Sequence, residues 1–477
     1  MQLSYVRMHW NINMTSQNIE YLGGILMRVL LIKPEFKNVF TKLSLITTEP
    51  LELEYMSAIC KNNNVDVKIC DLTIRGKSLK YMLKNFKPNI VAITANFVHI
   101  YSVKKYVKII KKFDSSIVTI VGGPHAEVMP EDFQFEGIDI ISSSGGFKPF
   151  ETIITSKGKI NYQNIKGISY CKENKWYKNE KETFDVTTLP FPDRTHFYQN
   201  IKKYKYVTMK PCAIIKTSYS CPHNCNYCFS TLLNGGKYLC RDPKNVVEEI
   251  KGINCDNIWI VDDTFYVNKN NLDEFIYLIK KENINKKFSL YFRADFIANN
   301  PDYMKKLAEI GVKMCAVGLE VIDDEVLEKY NKKSSVNIIL KALEILKECN
   351  ITCIGLLMID IDADRSYFKK LYKFIKKHEL YLSTISILTP MPGTEQFEKY
   401  KNRIMTNDYR KWDFVHLTIE PTQMSKFTFY MEFYKLYVKL AMLILKNKVL
   451  SFKYFISAIN ASIDYWKEVL KGVWRKK

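Results

Sequence analysis

Apolar positions along the chain fall into two series of short runs, each followed by stretches with apolar residues three and four apart. The first series comprises Val29–Ile32, Val65–Ile69, Ile90–Thr94, Ile117–Val121 and Ile138–Ile141. Runs of this length read as strands, and the intervening LELEYMSAICKNN and VKKYVKIIKKF carry helical spacing. Strands alternating with helices predict βαβ units and a doubly wound, Rossmann-like parallel sheet over residues 27–158. Ligands of such sheets sit beyond the carboxyl ends of the strands. The loops there are Asp71–Gly76, Thr94–Phe97, Gly122–His125 and Ser142–Gly146.

The pattern lapses over 159–206, which contains Thr188–Arg194, Thr-Leu-Pro-Phe-Pro-Asp-Arg. Two prolines in three residues exclude a helix interior or a central strand, so this stretch reads as a linker. The second series, over 207–395, contains AIIKTSY, NIWIVDD, FSLYFRA, VKMCAVGLE, CIGLLMI and STISIL with helical stretches between them. Six strand–helix repeats predict a partial (β/α)6 barrel with its chemistry on the loops after the strands. Aromatic-rich helical patterns over 396–477 predict a helical C-terminal region. Met27 opens the first strand run, and we expect it to be the natural start, with residues 1–26 a non-native extension.

Composition narrows the class. Of 477 residues, 47% are hydrophobic and 25% charged, as in folded globular chains. No apolar stretch approaches the roughly 18–20 residues that span a bilayer, and the first residues lack the apolar core of a secretion signal. A cytoplasmic protein is expected, with peripheral membrane contact permitted by the basic amphipathic tail. Its 12 cysteines then read as thiols or metal ligands rather than disulfides. The net charge of +21 rests on 71 basic residues, of which 61 are Lys spread through helices. Phosphate recognition favours the arginine fork, so no specific nucleic-acid partner is expected.

Cys221-Pro-His-Asn-Cys225-Asn-Tyr-Cys228 follows the first strand of the second series. Structural zinc asks for four ligands, yet beyond His223 only the single Cys240 and Cys255 follow. A four-iron cluster held by three cysteines keeps one iron open to an exogenous ligand, which is a catalytic arrangement. The remaining cysteines, from Cys60 to Cys353, read as small buried hydrophobes. His125 and His416 read as structural histidines.

The CxxxCxxC loop, with Tyr227 before its last cysteine, resembles that of the radical S-adenosylmethionine (SAM) superfamily. Gly-Gly-Pro-His at Gly122–His125, the Leu-Pro-Phe-Pro-Asp-Arg linker, Val261–Phe265, Gly318–Glu320 and Thr389–Thr394 look like its cobalamin-binding-domain subclass. The resemblance implies that Cys221, Cys225 and Cys228 hold a [4Fe–4S] cluster whose fourth iron SAM chelates. It also implies cobalamin on the N-terminal sheet, beside Thr73, Thr94, Gly122, Gly123 and Ser143. Where cobalt-ligating proteins have the histidine of DxHxxG, this chain has Thr73, which suits cobalamin bound without imidazole or a domain that has lost it. A family Gly-Pro-Gly-type turn is replaced by Ile359–Asp364.

For SAM itself, Tyr227, Asp262, Asp263, Arg293 and Glu320 are the candidate contacts. The carboxylates can accept from an ammonium or ribose, and the guanidinium can fork a carboxylate. Asp263 could instead cap a helix and Arg293 pair with Asp295. The expected function is radical SAM chemistry, as a cobalamin-dependent methyltransferase acting on an unactivated carbon. The alternatives are a cyclase or rearrangement enzyme without functional cobalamin, or an RNA-modifying radical SAM enzyme. A small-molecule, lipid-like or peptide substrate and an electron donor such as flavodoxin or ferredoxin are the implied partners.

Overall fold

The computed structural model describes residues 27–36, 45–156 and 160–450, with scattered positions from 452 to 467. Residues 1–26, and with them the question of the start, lie outside the described residues.

Strands β1 (Arg28–Lys33), β2 (Asp66–Asp71), β3 (Ile90–Thr94), β4 (Val118–Gly122) and β5 (Ile140–Ser142) form a parallel sheet in the order β2-β1-β3-β4-β5. Val29 to Ile32 are wholly buried and alternate between two cores. Leu30 and Ile32 pack with Val91, Ile93 and Val121 on one face, while Val29 and Leu31 pack with Ile90, Ala92 and Ile120 on the other. A sheet covered on both faces has near-continuous apolar strands, which is why β1 reads VLLI. The order reverses between β1 and β3, and that switch point opens the ligand crevice of a doubly wound sheet.

The sheet extends further than its sequence suggests. β6 (Ile168–Lys172) and β7 (Lys175–Lys178) add an antiparallel hairpin to β5, inside the stretch read as linker. Its turn is made by Glu173 and Asn174, both with positive φ, and such short, half-polar strands leave little apolar signal.

The second sheet is parallel and sequential: β8 (Ala213–Ile215), β9 (Asn257–Ile260), β10 (Lys287–Arg293), β11 (Val312–Glu320), β12 (Thr352–Ile359) and β13 (Thr384–Ile387). This is a half-barrel with β8 and β13 at its edges. Its convex residues, among them Ile215, Ile260, Leu290, Val317 and Ile359, share one core with the surrounding helices. Its concave residues Ile214, Trp259, Met314, Ala316 and Ile354 pack against Tyr206, at the end of the linker, and Val207 and Met209 just after it. Tyr206 stacks on Trp259 at 3.9 Å. Leu51 and Tyr55 of helix α1 (Leu51–Asn62) join that cluster, so the first domain contributes to the lumen of the second.

The C-terminal region is irregular before helix α2 (Lys426–Lys446), whose Phe429, Phe433, Leu436 and Leu440 enter the barrel's convex core. No helix among the described residues is long and apolar enough to cross a membrane.

The two sheets are locked by a buried ionic network. Arg194, from the proline-rich linker, donates to Glu49 and Glu249 at 2.7 Å each and to the Ile214 carbonyl at 2.9 Å. Arg241 lies 2.7 Å from Glu249 and donates to the Tyr55 hydroxyl at 3.1 Å. Glu54, fully buried, has no hydrogen-bond partner for either carboxyl oxygen. Burial and the adjacent Glu49 push its pKa well up, against the pull of Arg194 3.9 Å away.

Candidate active site

The sequence-predicted residues of the second series converge at the carboxyl ends of its strands. Cys221, Cys225 and Cys228 lie on the loop that leaves β8. Ser220, just before it, has φ of +64°, a conformation that costs a non-glycine residue about 1 kcal/mol or more. Its hydroxyl donates to the Leu233 carbonyl at 2.8 Å and accepts from Asn234 Nδ2 at 2.9 Å, which fixes the turn. Asn226 anchors the middle of the loop, donating to the Lys329 carbonyl at 2.9 Å and accepting from Gln396 Nε2 at 2.9 Å. Gln396 follows directly on the Thr389–Thr394 turn, which gives that motif a structural role.

All three loop cysteines are free and half-buried. Burial raises the Cys221 thiol, and that of Cys228 to about 11, so coordination there releases protons. Among the described residues no three His, Cys, Asp or Glu side chains converge as a single ion would require. The three thiols instead suit a multi-iron cluster, which takes one thiolate per iron. Arg293 Nη1 lies 3.7 Å from Cys225 Sγ and supplies positive charge beside the thiolate-rich loop.

The two aspartates after β9 have different situations. Asp262 is 2% exposed. It accepts from the Thr217 and Ser218 backbone N–H groups at 2.7 and 3.1 Å and from the Thr217 hydroxyl. Burial nevertheless lifts its carboxyl to about 6, against hydrogen bonds that favour the anion. Its carboxylate staples β9 to the chain leaving β8. Asp263 is exposed and accepts only from Ser230 Oγ, at 2.8 Å, two residues past Cys228. It caps no helix.

Arg293 ends β10 and pairs with Asp295 at 2.9 Å, as the bland reading held, while also donating to the Lys332 carbonyl. Glu320 ends β11 with φ of +59°, after a register shift between Gly318 and Glu320. This turn aims its carboxylate at Lys332 Nζ, 2.6 Å away. Tyr227 OH lies 3.5 Å from the same ammonium, and its ring meets Tyr330 edge-on at 5.4 Å. Burial and neighbouring Glu320 keep that phenol protonated. Lys332, 5% exposed, carries no sequence signal, because it stands in an ordinary polar run after a short helix.

Beyond β12, the Ile359–Asp364 turn lines a cavity of about 460 Å³ with Asp323, Lys329 and Tyr367. Its carboxylates are engaged: Asp360 accepts from Tyr330 OH at 2.5 Å and Lys329 Nζ at 3.0 Å, and Asp362 pairs with Arg403 at 2.6 Å.

On the first sheet, Thr94, Gly122, Gly123 and Ser143 lie at the carboxyl ends of β3, β4 and β5. Gly123 has φ of +104°, and a Cβ there would lie 2.9 Å from Ala95 N and O, so only glycine lets the two loops meet. Ser143 binds the Gly167 carbonyl through its N–H at 2.8 Å. Thr73 differs. It is exposed on the loop after the edge strand β2, away from the switch point, and its hydroxyl donates to Asp71 at 2.5 Å. That internal turn engages its hydroxyl and its N–H with Asp71.

The histidines near the crevice have their nitrogens assigned by their partners. His99 Nδ1 accepts from the Asn96 N–H at 3.1 Å, leaving Nε2 protonated. His125 is 0% exposed; its Nε2 faces Asp132 at 2.7 Å, and its ring stacks on Phe97 at 4.2 Å. Neither offers an accessible lone pair. At these strand ends a corrinoid would therefore be held by backbone groups and shape rather than by these two side chains.

Phe97 joins the two halves. It belongs to an apolar cluster with Met391 and Trp412, packed against Val128, Met129, Phe229 and Tyr409. Phe97 leaves β3, Phe229 adjoins Cys228, and their rings meet edge-on at 5.7 Å.

A half-barrel bearing a three-thiol loop, preceded by a doubly wound parallel sheet, is the architecture of a radical SAM enzyme. Residues 215–375 match the family described as the Radical SAM superfamily, and residues 44–153 the B12 binding domain. The chain belongs to the radical SAM superfamily, in the subclass with an N-terminal B12 binding domain. Among curated relatives, it is 26% identical over 421 residues to hopanoid C-3 methylase of Methylococcus capsulatus, covering 86% of this chain and 79% of that one. An uncharacterized methyltransferase of Pyrococcus horikoshii is 28% identical over 419 residues, covering 84% and 88%. The solved cobalamin-dependent SAM radical enzyme OxsB, with aqua-cobalamin and SAM bound, has the same fold. It superposes with a TM-score of 0.70 at 15% identity, over 91% of this chain and 70% of that one. [4Fe–4S], SAM and cobalamin are thus the cofactors of this architecture.

Proposed function

We propose that the protein is a cobalamin-dependent radical SAM methyltransferase acting on an unactivated carbon of an apolar small molecule. The observation that carries this reading is the Phe97–Phe229 contact, which brings the switch-point strand and the cluster loop to one apolar wall. Methyl donor and radical source must both reach one substrate carbon, and this wall is where a substrate would touch both regions.

When bound, the cofactors supply the electron, the 5′-deoxyadenosyl radical and the methyl group. The chain's own residues do the rest. Cys221, Cys225 and Cys228 hold the cluster. Asp263, Arg293, Glu320 and Tyr227 would offer SAM groups that match an amine, a carboxylate and a ribose. Thr94, Gly122, Gly123 and Ser143 hold the corrinoid by close backbone approach. Phe97, Phe229, Met391 and Trp412 exclude water and orient an apolar substrate.

The hopanoid relative supports a polycyclic, lipid-like substrate class, and delivery from a bilayer surface fits it. Twelve free thiols and an air-sensitive cluster support a reducing, cytoplasmic setting for the reaction, with a flavodoxin- or ferredoxin-type donor. The test is anaerobic reconstitution with iron and sulfide, then titration with hydroxocobalamin and assay of SAM cleavage. Iron retention, a corrinoid spectrum that co-purifies and 5′-deoxyadenosine formation are the expected results. Cleavage without corrinoid retention would favour a cyclase or rearrangement enzyme.

A further inference from the structure

Arg293 has most of its donors committed within the chain. A guanidinium carries five N–H groups in a rigid fork. Nε donates to Asp295 Oδ1 at 2.9 Å, and Nη2 donates to Asp295 Oδ2 at 3.1 Å and to the Lys332 carbonyl. Nη1 reaches Cys225 Sγ at 3.7 Å. One N–H is left, whereas a fork onto a carboxylate needs two in parallel. Arg293 can therefore give SAM a single hydrogen bond, and its remaining donors serve another purpose.

The guanidinium is held from two directions. Asp295 stands in the first turn of the short helix after β10, and the Lys332 carbonyl comes from 39 residues further on. Together they grip the Nε–Nη2 edge and leave Nη1 against the thiol. Arg293 is 9% exposed, so water screens its charge poorly. The Asp295 side chain is 26% exposed, and its opposing charge is screened more. The other two loop thiols face backbone donors of the loop itself, the His223 N–H at Cys221 and the Ser230 N–H at Cys228. At Cys225 the donor comes from a barrel strand and carries a full charge.

Hydrogen bonds to sulfur and nearby charge set the potential of an iron–sulfur cluster. Its reduction takes one electron from a ferredoxin- or flavodoxin-type donor and moves no proton, so the ligated thiolates gain negative charge. A fixed cation in contact with one of them stabilises the reduced state. We propose that Arg293 sets the reduction potential of the cluster, raising it through the charged donor it holds against Cys225. This rests on the radical SAM reading of the loop and adds the residue that governs how readily the electron is accepted.

The test is a spectropotentiometric titration of the reconstituted protein without SAM, with iron analysis and thermal melts alongside. In Arg293→Gln the ratio of reduced to oxidised cluster at a given applied potential should fall about tenfold, a downward shift of about 59 mV for a one-electron couple. Arg293→Gln/Asp295→Asn removes both charges together and leaves no unpaired acid. Its midpoint should still lie below that of the parent, because the donor to Cys225 is gone. Parent iron content with an unchanged or higher midpoint in the double variant overturns the proposal. Loss of iron from both variants overturns it too, since Arg293 would then be a prop for the loop. A parent that assembles no four-iron cluster overturns the radical SAM reading itself, and this inference with it.

Discussion

The Lys332 ammonium lies 2.6 Å from the Glu320 carboxylate, and Gly318 leaves the space in which they meet. A Cβ at Gly318 would fall 2.7 Å from Glu320 Oε1 and 2.9 Å from Lys332 Nζ. The glycine of the Gly-Leu-Glu motif thus serves the glutamate two residues on. Removing one partner of a buried ion pair leaves an uncompensated charge and costs about 3–5 kcal/mol. Lys332→Met should therefore lower the thermal midpoint and weaken SAM binding, while iron content stays near the parent value. Gly318→Ala should weaken SAM binding with a smaller loss of stability, since it displaces the flexible ends of both side chains. Isothermal titration with SAM and thermal melts of the reconstituted protein separate the two effects.

Glu54 gives the stability a pH dependence of defined sign. Its carboxyl is raised by burial and by Glu49, so from about pH 4.5 upward the folded chain binds a proton that the unfolded chain releases. Stability falls as pH rises through that window. Glu54→Gln removes the titration and keeps the shape. As pH rises from about 4.5 the parent should lose more thermal stability than Glu54→Gln. Parallel losses in the two proteins would mean that Glu54 is charged in the fold. Arg194→Met, by contrast, strips Glu49 of its counter-ion and leaves Glu249 to Arg241 alone, and should cost about 3–5 kcal/mol across that range.

Asp262 and Asp263 are neighbours with separable tasks. An asparagine at 262 offers one acceptor oxygen to the three donors that Asp262 satisfies, so Asp262→Asn should lower stability by about 1–3 kcal/mol and impair iron retention. Asp263→Asn touches one exposed hydrogen bond and should leave the melt unchanged while raising the SAM dissociation constant about tenfold. Iron analysis beside SAM titration checks both, and the reversed outcome would return Asp262 to the SAM site.

Much of this was legible before any coordinates. Strand runs such as VLLI identify the two sheets because burial on both faces imposes continuous apolarity, and three cysteines in eight residues identify the cluster loop because thiolate chemistry tolerates few substitutes. The misses share a physical cause. The β6–β7 hairpin is short and half-polar, so its pairing depends on a partner strand rather than on its own pattern. Lys332 and Arg194 act through contacts 12 and 145 residues away in sequence, which no local spacing encodes. Asp262 and Thr73 have the right chemistry for ligands. The fold adds that their oxygens also bond within the chain.

The Phe97–Phe229 contact bears on coupling between the two cofactor regions. Phe97 is 3% exposed and stacked on His125, so Phe97→Ala opens a cavity costing about 3–5 kcal/mol. Phe229 is half-buried and packs only at the edge of the cluster, which makes it the better probe. Phe229→Ala leaves the three thiols and the polar groups around the open iron in place. SAM cleavage should continue within about threefold of the parent rate, whereas methylated product should fall tenfold or more, because a loosened wall no longer holds the substrate carbon in line with both regions. The diagnostic is the ratio of 5′-deoxyadenosine to methylated product, measured in single-substrate anaerobic assays. A ratio unchanged from the parent, with both products reduced together, would place Phe229 in support of the cluster alone and remove the shared wall from the mechanism.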